Sequence, residues 1–160
     1  MSVRETPLQH DAAGCRFAIV AAAFHRPLVE RMVQGALTVL RARGAAEDDL
    51  EITWVPGSFE LPLACRWAAE TGRADAVLAF GVLIEGETEH FRLVAEAATD
   101  GLLRAALDSG VPVLHGVIAA HDAAQAEARA GGVHNRGAEI ALAAVAMAAL
   151  RRARAGSAVR

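Results

Sequence analysis

Residues 74–90, ADAVLAFGVLIEGETEH, join an unbroken apolar run ending at Ile84 to a polar turn around Gly86 and a helix expected to start near His90. A strand with one wet face alternates apolar and polar residues, whereas a continuous run predicts a strand covered on both faces. Three other runs have the same character: RFAIVAAAF at 16–24, LEITWV at 50–55 and VPVLHGVIAA at 111–120. Helical patterns separate and follow them. In residues 27–44, Leu28, Met32, Val33, Ala36, Leu37 and Leu40 share one stripe, with Arg41 and Arg43 just before the ending expected at Gly44. Further helices are expected over residues 59–70, 90–108 and 136–154, and Pro62 fits only within a first turn.

Strands joined by helices of this length predict a parallel sheet with right-handed crossovers, flanked by helices on both sides: a three-layer α/β domain. Residues 1–14, MSVRETPLQHDAAG, read as a flexible arm or an edge strand ordered by a partner. Residues 15–154 read as one domain, and 155–160 as a mobile tail. The length agrees: 160 residues suit one core.

Apolar residues make up 54% of the chain, and 38 of the 160 residues are alanine, while no tyrosine is present. That is too apolar for disorder, yet no stretch suits a membrane span and the first residues lack the order of a secretion signal. The cytosol is the expected compartment. A net charge of −3 argues against general nucleic-acid binding. All 16 basic residues are arginine, so an anion site must use guanidinium or backbone N–H groups. Cys15 and Cys65 lie too far apart for a CxxC pair and read as buried free thiols. The six histidines show no zinc-motif spacing, so neither a metal nor a dinucleotide is expected.

Ligands of open parallel sheets bind beyond the carboxyl ends of the strands, where the informative side chains gather. Phe24, His25 and Arg26 follow the first run, and Pro56 to Glu60 the second. Gly86 to His90 follow the third, and His115 and His121 belong to the fourth. His90 at a helix start is a candidate proton carrier, because the helix dipole opposes imidazolium formation there; the alternative is a surface histidine making local contacts. The Gly86-Glu87-Thr88 turn offers N–H groups and a hydroxyl to an anion, although it lacks the lysine and glycine spacing of a phosphate-binding P-loop. Arg129 reads either as an anion contact after a short alanine-rich helix or as ordinary helix termination. Phe24 and Phe59 read as core anchors or ligand platforms, and Glu60 as a polyol acceptor or a first-turn acid.

VPGSFELPLA, AFGVLIEGETEHF, GVPVLHGVI and HNRGAEIALAA, in that order, resemble the 6,7-dimethyl-8-ribityllumazine synthase family of riboflavin synthesis over residues 16–150. The resemblance implies a flavodoxin-like fold with a four-stranded parallel sheet. It also implies condensation of 5-amino-6-(D-ribitylamino)uracil with 3,4-dihydroxy-2-butanone 4-phosphate, without metal or organic cofactor. By the same resemblance Phe24 stacks on the pyrimidine, and Ser58, Phe59 and Glu60 line the ribityl region. Val82, Leu83 and Ile84 bound the heterocycle, Gly86, Glu87 and Thr88 hold phosphate with Arg129, and His90 moves protons. It further implies a homopentamer, often built into a sixty-subunit shell, in which His115 completes a neighbour's site.

Three positions depart from the family pattern: Glu85 stands where arginine or lysine is common, His25 where asparagine is common, and His115 where a bulky aromatic is common. Residues 130–137, AGGVHNRG, form a segment shorter than the family's usual glycine-rich one and without its lysines. Two alternatives accompany the enzyme reading: a lumazine- or flavin-binding paralogue with little turnover, and a self-assembling shell protein.

Overall fold

The computed structural model describes residue 3 and residues 5–157. Strands β1 (Phe17–Ala22), β2 (Leu50–Val55), β3 (Ala76–Ile84) and β4 (Val113–Ala120) form one sheet. Its order is β2-β1-β3-β4, and every neighbouring pair is parallel. Helices α1 (Arg26–Ala42), α2 (Leu61–Glu70), α3 (His90–Ser109), α4 (Ala123–Ala130) and α5 (Arg136–Ser157) connect and flank the strands. This is the three-layer α/β architecture that the apolar runs predict, and the four-stranded flavodoxin-like form that the family resemblance implies.

Alternation along the central strands assigns the two layers. Ile19, Leu78, Phe80 and Val82 pack with Met32, Leu40, Ala126 and Val145, so α1, α4 and α5 cover one face. Val20, Val77 and Ala79 pack with Leu61, Cys65 and Leu102, so α2 and α3 cover the other. Small residues allow close approach: a Cβ on Gly137 would fall 1.8 Å from the Met32 carbonyl oxygen where α5 meets α1. Pro62 occupies the second position of α2, inside the first turn where its missing N–H has no partner to lose.

Three details differ from the sequence expectation. Strand β2 lies at the sheet edge and exposes Glu51, Ile52 and Thr53; its run, expected to be covered on both faces, is interrupted by polar Glu51 and Thr53, unlike the apolar runs of the two central strands. Helix α5 continues to Ser157, three residues into the expected tail; residues 158–160 lie outside the described residues. In the expected arm, residues 5–11 carry no helix or strand, whereas Ala12 is fully buried and its N–H donates to the Arg43 carbonyl at 2.8 Å. Residues 1, 2 and 4 of that arm also lie outside the described residues. No helix among the described residues is long and apolar enough to cross a membrane.

Candidate active site

The carboxyl ends of β1, β2 and β3 and the first turns of α3 enclose an open cleft of about 720 Å³. Each strand exit contributes side chains. Phe24 and His25 follow β1, Ser58, Phe59 and Glu60 follow β2, and Val82, Leu83 and Ile84 end β3. Gly86 and Thr88 of the next turn and His90 of α3 close the cleft. Eleven residues singled out in the sequence thus meet in one place.

Two phenyl rings stand at the mouth largely bare: Phe24 is 66% and Phe59 63% exposed. Neither ring contributes most of its area to the core, so the core-anchor reading weakens for both and each ring is accessible from solvent. The Phe24 ring is met edge-on by His25 at 4.7 Å. His25 begins α1 with φ 56°, the left-handed region that asparagine, aspartate and histidine enter most readily among non-glycine residues. Histidine and the asparagine that the family resemblance leads one to expect here both tolerate that backbone.

Behind the mouth, Ser58 is buried against β3. A Cβ on Gly81 would come within 2.4 Å of its Oγ, so the missing side chain at Gly81 is what admits the serine. Glu60 is exposed beside it and forms no ion pair among the described residues, leaving its carboxylate free to accept from hydroxyl or amine donors.

The polar wall is the turn from β3 into α3. The His90 N–H donates to Thr88 Oγ1 at 3.4 Å, and the side of Gly86 where a Cβ would stand is open. The N-terminus of the 20-residue α3 ends at this wall, with the partial positive charge that favours anions. Phe91, Leu93 and Val94 also line the cleft and were missed in the sequence. The signal existed: positions 90, 93 and 94 have the i, i+3, i+4 spacing of one helical face.

His115, Arg129, Glu85 and Glu87 do not line this cleft. Arg129 lies in the last turn of α4 and not after the helix, because the alanine-rich stretch stays helical up to Gly131. Helix α4 packs on the α1 and α5 face of the sheet, whereas the cleft opens over the start of α3, and Arg129 is not among the residues that line it. Instead Arg129 approaches Glu139 at 3.5 Å, and Arg136 holds the same carboxylate at 3.0 Å. Arg136 also donates to the His115 carbonyl at 3.4 Å. The His115 ring lies 2.9 Å from Thr99 Oγ1, whose own proton goes to the Ala95 carbonyl. His115 Nε2 is therefore the donor of that pair. Burial pushes the His115 imidazole below its ordinary pKa, and Arg136 adds to the effect.

Burial pushes the Cys65 thiol up to about 12 and raises Cys15 as well, so both stay protonated and unreactive at neutral pH. Among the described residues no three histidine, cysteine or acidic side chains converge as metal ligands. The arrangement offers aromatic rings, an acid for hydroxyl groups, a helix N-terminus for an anion and two imidazoles, those of His25 and His90.

A family model described as 6,7-dimethyl-8-ribityllumazine synthase matches residues 14–152. The protein of that name from Halorhodospira halophila is 49% identical over 138 residues, covering 86% of this chain and 88% of the relative. The one from Thermococcus gammatolerans is 43% identical over 152 residues, covering 95% and 97%. A chloroplastic one from Arabidopsis thaliana is 41% identical over 138 residues, which span 86% of this chain and 61% of that longer protein.

Proposed function

The chain belongs to the 6,7-dimethyl-8-ribityllumazine synthase family, and from that premise we propose how its cleft carries the reaction. It is a transferase of riboflavin synthesis, condensing 5-amino-6-(D-ribitylamino)uracil with 3,4-dihydroxy-2-butanone 4-phosphate and releasing phosphate and water. The observation that carries the assignment of roles is the convergence of Phe24, Glu60, Thr88 and His90 on one open cleft.

The pyrimidine lies on Phe24, bounded by Val82, Leu83 and Ile84, while its ribityl hydroxyls donate to Glu60 near Ser58 and Phe59. The butanone phosphate meets the N–H groups and hydroxyl of the Gly86-Glu87-Thr88 turn at the start of α3. The pyrimidine amine attacks the ketone to give a carbinolamine, which loses water to an imine. Phosphate then leaves and the ring closes with loss of water. His90 takes and returns the protons of these steps, and holding both substrates in line supplies much of the acceleration.

The phosphate side is completed between subunits. Arg129 and His115 lie outside their own chain's cleft, which supports their donation to a neighbour, Arg129 to the phosphate and His115 to the ring. Leu63, Trp67, Leu103 and Leu107 stand exposed on α2 and α3, apolar area that suits contact between copies in a homopentamer. A free pentamer and a sixty-subunit shell differ twelvefold in mass by their subunit counts, so native mass spectrometry separates them. The reaction itself is tested by mixing purified protein with both substrates. Appearance of the lumazine chromophore at an enzymatic rate is expected. Tight lumazine binding without formation overturns the assignment.

A further inference from the structure

Three carboxylates flank the turn assigned to phosphate: Glu85, Glu87 and Glu89. An anion site ringed by acids works only if their charge is cancelled or turned aside. Glu89 is paired with Arg92 at 2.8 Å, while Glu87 has no ion pair among the described residues but does not line the cleft. Glu85 directly follows β3 and meets His121, which follows β4, with Oε2 2.5 Å from Nδ1. The main chain supports this contact: the Glu85 N–H donates to the Ala120 carbonyl at 2.9 Å, carrying the β3–β4 pairing to the edge of the turn. His121 is itself tethered to α4, because its N–H donates to Gln125 Oε1 at 3.0 Å and the Gln125 N–H donates to the capping Asp122 Oδ1 at 2.8 Å.

We propose that His121 is a positioning residue for the anion turn: it pins the Glu85 side chain to the start of α4 and cancels its charge, so that Gly86–Thr88 stay open to phosphate. The inference rests on the phosphate role given to that turn above. It assigns a task to Glu85, whose negative charge otherwise opposes the site it borders. Paired with the imidazolium, the carboxylate becomes an anchor that ties the turn to the helix bearing Arg129.

The pair also makes anion affinity depend on pH. The Glu85 carboxylate accepting from the ring raises the His121 pKa above its ordinary value, and Asp122 adds to the rise. Among the described residues these are the charged groups that face His121, one from the end of β3 and one from the start of α4. Below that raised pKa the pair is intact. As pH rises through it the imidazole loses its charge, Glu85 stands uncompensated beside the turn, and anion affinity falls.

Sulfate keeps its charge across this interval and serves as the probe, measured by calorimetry on the assembled full chain with parent, His121→Lys and His121→Gln proteins. At about pH 6 parent and His121→Lys bind alike, and His121→Gln binds about threefold more weakly, the scale of an exposed ion pair. At about pH 9 the parent drops to the level of His121→Gln while His121→Lys holds its affinity. Equal affinities for the three proteins at both pH values, or no sulfate binding at all, overturn the proposal. Lumazine formation by the parent is followed alongside: product without the sulfate pattern refutes the His121 role alone, and the sulfate pattern without product supports that role while refuting the reaction.

Discussion

The two ends of the sheet treat charge in opposite ways. At the amino ends, Asp75 before β3 is nearly buried and fully engaged: it accepts from the Arg16 N–H at 2.8 Å and from Arg152 Nε and Nη2 at 2.9 and 2.7 Å. Arg152 reaches further to the Gly14 carbonyl at 2.6 Å, so strand β1, strand β3 and helix α5 close on one carboxylate. At the carboxyl ends the same fold leaves Glu60, His90, Phe24 and Phe59 exposed around a cleft. Groups whose partners come from their own chain hold the fold together. Groups left without one are available to substrate and to neighbouring subunits.

That contrast predicts which losses touch chemistry and which touch stability. The largest effect is expected for His90→Ala: a fall in kcat of about a hundredfold or more, the scale of a general acid–base group, with Tm unchanged. A drop in Tm with little change in kcat would place His90 on the structural side instead. Asp75→Asn should do the reverse, lowering unfolding free energy by about 2 kcal/mol, the scale of hydrogen bonds to a charged group, while kcat per folded protein holds.

The Asp75 deficit has a definite pH dependence. Burial by itself raises the carboxyl pKa, but the Arg152 guanidinium and the Arg16 N–H outweigh it and hold the group below its ordinary value. The stabilisation is therefore present above the unfolded pKa and is lost as pH falls through the folded one. Denaturant melts of parent and Asp75→Asn should differ at neutral pH and converge as acid protonates the parent.

Phe24→Ala should raise KM for the pyrimidine about fivefold, on the scale of one aromatic stacking contact, and leave Tm near the parent because the ring is mostly exposed already. An unchanged KM would remove Phe24 from the pyrimidine site. The smallest effect belongs to Arg66→Ala, whose exposed pair with Glu70 at 2.7 Å serves neither end. A change under about 0.5 kcal/mol in thermal melts is expected; a larger one would show that surface pairs matter more here than the Asp75 lock implies.

Much of the cleft was legible because its residues sit next to apolar runs. Once the runs ending near Phe24, Val55 and Ile84 are strands of one parallel sheet, the residues after them share one end of it. The position of β2 was partly legible: LEITWV was expected to be covered on both faces, yet Glu51 and Thr53 alternate with apolar residues as in a strand with a wet face, and β2 takes the edge, where even Ile52 is exposed. Arg129 shows a related limit. Its type suits phosphate, but the face on which α4 packs decides whether it can reach its own chain's turn.

The sequence by itself determined the strands, the main helices and the end of the sheet where chemistry collects, because apolar period, glycine placement and proline position act over a few residues. It also carried the family signature in the segments around Ser58 and Thr88. Only the tertiary structure decided the order β2-β1-β3-β4, the closure of Asp75 by Arg152 across 77 positions and the meeting of Glu85 with His121 across 36. Those contacts depend on which strands lie side by side and in what register, and that choice is made by the packing of the whole chain, to which no local pattern has access.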